Sequence, residues 1–514
     1  LYFYQPYPYG GKDMTIHKRV SVLLMLLVWV LAFSGVVNAQ GGGGVLRVGM
    51  NAPINLDPAT GSNDPEILFN RTLYDYLIEV DANGNLVTNL ASEWEVSEDG
   101  LSYRFRLVEG VRFHDRSDFT SADVVYTFNR LKQLGSPAVS LMGDFEVTAD
   151  GDYAVVFTIP QPNADFIFGV ANRHALILSE GDTTPGDVTD GVNGTGPFRL
   201  VEYSASERAT FVRNENYWRD GQPYLDGMEF LFIDDALTQI DALRSGAVDF
   251  IFKVDVDQVP ILEADSNIVI LNVPTNQHPV IRIRSDAGSL GEDVRIRQAF
   301  KLATNREELL QTVQEGLGVV GNNDPIGPKY ADFFTPIEQD YNPSMACALI
   351  LQATGNERLS VDFYVVNSFN YESLAVSLQQ QWAQGCIDVN ILLREEGIYY
   401  ADTEWLEVDL GITGWGDRPI PQSYFVEAYV TGGIYNETHF SDPEVDALVA
   451  QAAVTADIVA RGAIYAQISA IFAERGSIII PWFASVVGAT YTQIDGLQMH
   501  PFPGQTDFRT VRMN

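Results

Sequence analysis

Apolar and polar residues alternate between Trp405 and Trp415. Leu406, Val408, Leu410 and Ile412 fall on one face and Glu407, Asp409, Thr413 and Trp415 on the other, the two-residue period of a half-buried strand. The alternation then stops in Gly414, Trp415, Gly416, Asp417, Arg418, Pro419 and Pro421. Prolines donate no ladder hydrogen bond, so the strand has to open into a loop here. In open α/β sheets ligands sit beyond the carboxyl ends of the strands. Trp415, Asp417 and Arg418 would offer such a ligand a stacking face, an acceptor and a forked donor. The alternative is that Trp415 packs inward while Asp417 and Arg418 pair with each other at the surface.

Other stretches carry equally clear periods. Val45 to Met50 reads as a strand that leaves through the loop Asn51 to Pro58, and Ile67 to Val80 has helical spacing before a turn at Asp81-Ala-Asn-Gly84. Leu90 to Val96 and the alternating Leu101 to Leu107 flank an Asp99-Gly100 turn and predict a hairpin. A helix over 120–130 opens with Thr120 and Asp123 as a variant capping box. Ser441 to Glu444, with Pro443 in the first turn, predicts another helix start. From 344 to 415 helices and strands alternate, which builds a parallel sheet with its strand ends at one crevice. Two strand exits, Val366 into Asn367-Ser368-Phe369-Asn370 and Ile412 into Trp415, are expected to face it together.

A chain of 514 residues exceeds what one core usually serves, so two or three structural lobes are expected. The net charge of -36, from 68 acidic against 32 basic residues, repels nucleic acid and anionic lipid headgroups and excludes both as partners. The two cysteines, Cys347 and Cys386, exclude a disulfide scaffold and a four-cysteine metal site. A single bridge stays open. The expected layout, however, sets Cys386 against the far end of the helix that carries Cys347. That is roughly 10 Å away along the helix, too long for a disulfide. Residues 1–13 have no periodicity and resemble a tag or upstream translation. From Met14, Lys18 and Arg19 precede the apolar run Val20 to Phe33 and then Val37-Asn38-Ala39, the three parts of a secretory signal peptide. Cleavage after Ala39 is expected, with an uncleaved anchor as the alternative. Residues 40–44, Gln-Gly-Gly-Gly-Gly, then form a flexible linker.

The stretch Leu90 to Arg130 resembles the signature region of the extracytoplasmic solute-binding proteins of family 5, the peptide, nickel and oligosaccharide type of ABC importer component. The resemblance rests on Trp94, the Asp99-Gly100 turn, Gly110-Val-Arg-Phe-His114-Asp115 and Phe119-Thr120-Ser-Ala-Asp123-Val-Val125. Arg116-Ser117 stands where the family usually has a glycine. Further segments are similar to the family: Gly194-Thr-Gly-Pro-Phe198, Arg213 to Trp218, Ala242 to Asp249, Val294 to Phe300, Phe440 to Asp446 and Ile478 to Trp482. The resemblance implies an α/β, two-lobed periplasmic-binding-protein-like fold of the large type II (cluster C) form with an extra subdomain in the first lobe. Its implied layout is lobe I at 45–275 with an insert at about 81–190, lobe II at 276–480, and a return to lobe I at 481–514. A monomer in the periplasm or at the cell surface is implied, without a lipid-anchor cysteine. Its partners would be a peptide or small-molecule ligand and membrane permease subunits.

Catalytic motifs are missing. There is no Gly-x-Ser-x-Gly elbow, phosphate loop or His-Glu-x-x-His helix, and the histidines at 17, 114, 174, 278, 439 and 500 lack ligand spacing. No catalytic residue, metal or cofactor is expected. A binding cleft needs aromatic walls and a few directed polar groups. Trp415, Tyr424, Phe425 and Phe369 are candidates for the first, and Asn367, Ser368, Asp417, Arg418, Asn276, Gln277 and Asn55 for the second. In peptide-binding members of the family an aspartate shortly after the Gly-Trp pair holds the ligand's amino terminus, a role implied for Asp417. In other members an arginine nearby takes a carboxylate, a role implied for Arg418. The sequence Asp417-Arg-Pro-Ile-Pro-Gln422 departs from the usual Asp-Pro-Asp. The expected function is capture of a short peptide or similar polar solute for a permease. An oligosaccharide ligand stacked on Trp415, a receptor-coupled sensor and a secreted hydrolase on the same architecture are the alternatives.

Overall fold

The computed structural model describes residues 43–514 except 190, 337–339, 368–369 and 402–403. The signal-peptide reading of 1–39 lies outside the described residues. Among those described, no helix is long and apolar enough to cross a membrane.

Strand Val45–Met50 buries Leu46, Val48 and Met50 and becomes the centre of a mixed sheet. It pairs in parallel with Gly227–Phe232 on one side and Phe250–Ile251 on the other. Antiparallel strands Arg208–Arg213 and Phe198–Ser204 extend one edge, and Trp482–Tyr491 and Ile268–Pro274 the other. A second sheet runs in the order Ile387–Arg394, Leu359–Val366, Leu410–Trp415, His278–Ile283, Ile478–Ile479. Each sheet has its own apolar core, so the molecule has two lobes, as expected. A four-stranded layer of Ala91–Val96, Ser102–Leu107, Ala154–Thr158 and Glu146–Ala149 sits beside the first sheet. Its core is aromatic, with Phe157 meeting Phe105, Phe128 and Phe166 edge-on.

The hairpin of Ala91–Val96 with Ser102–Leu107 is antiparallel. The helix Ser121–Leu134 begins as its sequence implies, with the Thr120 N–H donating to the Asp123 carboxylate at 2.8 Å. Arg116 has φ 77°, the left-handed region that glycine occupies without strain. The arginine thus keeps the backbone shape of a glycine position.

Four sequence expectations need correction. Leu410–Trp415 is a central strand between Leu359–Val366 and His278–Ile283, buried on both faces from Leu410 to Thr413. The residues Glu404–Glu407 before it are a short helix. The helical spacing after Ile67 ends early, in helix Asp64–Leu73, because Ile78–Val80 is drawn into a strand with Leu86–Thr88. The cap of helix Pro443–Val454 is Asp442, which accepts from the N–H groups of Glu444 and Val445. Ser441 instead meets the Thr431 hydroxyl at 2.9 Å.

Cys347 and Cys386 form a disulfide, with Cα atoms 5.0 Å apart. The sequence estimate laid the turn before Ile387 against the end of helix Pro343–Thr354. The turn instead rides over the body of that helix: a side-chain carbon on Gly385 would touch the Cβ atoms of Ala346 and Ala303. Cys386, at φ 65°, then faces Cys347.

Two strand-to-strand crossings join the lobes. Ile268–Pro274 of the first sheet runs through Thr275, Asn276 and Gln277 into His278–Ile283 of the second. Ile478–Ile479 returns through Ile480 and Pro481 into Trp482–Tyr491. The crossings are stitched together, since Thr275 N–H donates to the Ala484 carbonyl at 2.9 Å and Ala484 N–H to the Gln277 carbonyl at 2.7 Å.

Candidate functional site

A cleft of about 570 Å³ lies between the lobes. Lobe I lines it with the turn at Asn83 to Leu86, with Phe168 and Arg173, and with Phe502 from the C-terminal segment. Lobe II supplies Lys329 to Phe333 and Asp417 to Ile420, the loop that opens where the strand Leu410–Trp415 ends. The prolines that stop the ladder thus leave Asp417 and Arg418 at the cleft wall. Three cationic side chains (Arg173, Lys329, Arg418) and three anionic ones (Asp332, Asp417, Glu427) line it. A chain with two acids per base therefore has a cleft of balanced charge.

Asp417 does not pair with Arg418. Its Oδ2 accepts from Lys329 Nζ at 3.0 Å, and both side chains are nearly inaccessible, at 1% and 7% exposure. The other oxygen, Oδ1, is buried with no hydrogen-bond partner. Burial pulls the Lys329 ammonium below the usual lysine range, opposed by the Asp417 carboxylate. The ammonium also lies 3.8 Å from the centre of the Phe502 ring, so one lysine touches both lobes. Arg418 reaches Glu427 at 3.5 Å and lies over the Trp415 ring at 5.4 Å.

The remaining candidates separate into two groups. Trp415 is half-buried and packs against Tyr424, Tyr429 and Tyr435; it does not line the cleft. Tyr424 is fully buried and its one hydroxyl hydrogen is shared between the carbonyls of Gly416 (2.9 Å) and Asn276 (3.2 Å), tying the Asp417 loop to the first crossing. Asn276 is fully buried there, and Gln277 contributes its backbone to the stitching. These residues hold the wall in position and do not line it.

Asn367 and Asn55 lie elsewhere. Asn367 is exposed at the end of Leu359–Val366, level with Gly414 in the sheet register and so short of Asp417. Asn55 bonds to Thr60 and Glu66 in lobe I. Neither lines the cleft. Ser368 and Phe369 lie outside the described residues. Lys329, Phe502 and Arg173 went unnoticed in the sequence. Lys329 follows Gly327-Pro328 in a segment without periodicity, and nothing local connects it to a carboxylate 88 positions on.

Among the described residues no group of three His, Cys, Asp or Glu side chains could hold a metal ion. His114, His174, His278 and His500 are buried or backbone-bonded, and burial pulls their pKa values down.

Comparison with known proteins agrees with this architecture. The dipeptide-binding protein of Escherichia coli (strain K12) is 25% identical over 477 residues, 85% of this chain and 88% of that protein. The heme-binding protein A of Haemophilus influenzae is 25% identical over 447 residues, 80% of each. Among solved structures, HbpA2 from Haemophilus parasuis superposes with a TM-score of 0.82 at 23% identity, over 92% of this chain and all of that one. A periplasmic binding protein of Helicobacter pylori in complex with a peptide gives 0.68 at 22% identity, over 93% of this chain and all of that one. The profile of the bacterial extracellular solute-binding proteins, family 5 (middle region) matches residues 85–437. Two lobes joined by two crossings around a lined cleft, together with that match, make the chain a member of the bacterial extracellular solute-binding proteins of family 5.

Proposed function

We propose that the protein is the solute-binding component of an ABC importer and captures a short peptide between its lobes, outside the cytoplasm. The observation that carries the peptide reading is Asp417, a buried carboxylate in the cleft wall with one oxygen left without a partner. A buried acceptor without a partner costs free energy, and an ammonium from the ligand satisfies it. The balanced charge of the lining suits a zwitterion. Arg418 and Arg173 are available for its carboxylate. Relatives carrying dipeptide- and tripeptide-binding names support the same reading. An oligosaccharide is less well served, because Trp415 is spent on packing. The disulfide suits an oxidising compartment outside the cytoplasm.

In this reading lobe I comprises 45–275 and 481–514, with an insert at about 81–190, and lobe II comprises 276–480. The lobes hinge at the two crossings, a single chain suffices, and the ligand-bound form is what a permease receives. The test is native mass spectrometry of the purified protein against a tripeptide library and its N-acetylated counterpart. Free-amine peptides are expected to bind, N-acetylated ones to bind at least tenfold more weakly, and Asp417→Ala to remove the difference. Equal binding of both sets, or recovery of a bound sugar, would sink the reading.

A further inference from the structure

We propose that Lys329 determines the selectivity of the Asp417 site as a resident counter-cation, which a ligand's ammonium has to displace or share. The inference rests on Asp417 being the ammonium contact. A bare carboxylate at the wall of a partly apolar cleft would attract any amine, whatever it was attached to. Asp417 is not bare. Lys329 Nζ holds Oδ2 at 3.0 Å and is itself held by the Phe502 ring at 3.8 Å, leaving Oδ1 as the single free acceptor.

The consequence follows from charge. A simple amine entering the cleft gains Oδ1 but meets a second ammonium beside it, and like charges close together in a site shielded from water oppose binding. A peptide amino terminus meets the same lysine but carries an acceptor, the carbonyl oxygen of its first residue, on the carbon next to the one that bears its ammonium. If the lysine turns toward the peptide's first carbonyl oxygen, it exchanges one charge-assisted hydrogen bond for another while the ligand ammonium takes its place on Asp417. The lysine thereby turns a general amine site into one that reads an amine together with an adjacent acceptor.

The experiment compares wild type, Lys329→Met and Lys329→Arg by native mass spectrometry. The probes are the free-amine tripeptide library, the N-acetylated library and cadaverine, a diamine with no acceptor. Wild type is expected to prefer the free-amine peptides to cadaverine. Lys329→Met should lose at least tenfold of that preference by gaining affinity for cadaverine, and Lys329→Arg should keep it. An unchanged preference in Lys329→Met overturns the proposal. So does loss of peptide binding in Lys329→Met alone, which would make the lysine an obligatory ligand contact. A wild type that binds no peptide overturns the peptide reading as well, so the two failures are told apart by the wild-type result.

Discussion

His500 shows how a single buried side chain limits the conditions under which the cleft is intact. Its Nδ1 accepts from the Phe502 N–H at 2.9 Å while Nε2 faces the Asp81 carbonyl at 3.1 Å, so the neutral ring uses both nitrogens. Burial, with Lys329 and Arg71 nearby, pushes its pKa down to about 3. His278, buried at the first crossing, is pushed down to about 4. A depressed histidine contributes stability that is complete above its unfolded value of about 6.5 and is lost as pH falls below it. Unfolding free energy is therefore expected to fall from pH 7 toward pH 4.5, by up to about 1.4 kcal/mol per pH unit for each such histidine, and the melting temperature to fall with it. A flat profile would contradict the burial. Asp324 has the opposite sign. Burial raises its carboxyl to about 7, so its contribution is present at low pH and lost as pH rises through 7. Its Oδ1 accepts from the Ile326 N–H at 3.0 Å, a bond that an asparagine oxygen can keep. Asp324→Asn is expected to raise stability at pH 8 by about 1–3 kcal/mol, with the gain shrinking toward pH 5. Thermal melts at the two pH values decide it.

At the scale of elements, the disulfide staples helix Pro343–Thr354 to the turn before strand Ile387–Arg394 across a sequence separation of 39 residues. Closing a loop of that length restricts the unfolded chain and is worth about 2–4 kcal/mol. Reduction, or the double substitution Cys347→Ser with Cys386→Ser, is expected to lower the unfolding free energy by that amount, read as a lower denaturation midpoint, while ligand affinity stays unchanged, because neither cysteine lines the cleft. A midpoint that does not move would mean that the unfolded chain is already compact. Elements whose signal was local were legible in the sequence. The Asp99-Gly100 hairpin and the helix start at Thr120 owe their form to turn and cap chemistry within a few residues. The alternation from Leu406 to Ile412 misled, because the strand is central in its sheet and buried on both faces from Leu410 to Thr413, and the residues Glu404–Glu407 before it form a helix. The disulfide was missed for a related reason. Helix length is fixed by sequence, but where a turn crosses a helix depends on packing at Gly385 against Ala303 and Ala346.

At the scale of the molecule, the lobes also meet away from the crossings. Arg461 on helix Ile458–Arg475 donates to Asp165 at 2.6 Å, both side chains are nearly fully buried, and the Ala164 N–H donates to the Ala453 carbonyl at 3.1 Å. These contacts tie the four-stranded layer's side of lobe I to the helices of lobe II. Removing one partner of a buried ion pair leaves the other charge uncompensated, at about 3–5 kcal/mol. Separation of the lobes relieves that cost by hydrating the arginine. Asp165→Asn is expected to increase the radius of gyration of the ligand-free protein in small-angle scattering and to weaken ligand binding about tenfold, with little change in melting temperature. An unchanged radius together with a large loss of stability would assign the pair to the fold and not to the opening of the cleft.

What depends on neighbours along the chain was legible before folding: the α/β class, the hairpin and helix starts, the end of the strand at Trp415, and the motifs of family 5. The sequence also brought Asp417 and Arg418 forward, because two prolines beyond a strand force a loop. Tertiary structure decided which charge each of them faces. Lys329, 88 positions before Asp417, meets it through the packing of lobe II, and Phe502 of lobe I reaches the lysine only because the crossings bring the two separately packed lobes together. A charge pair across such a sequence distance is fixed by tertiary packing, and leaves no period, cap or turn to be read in the chain.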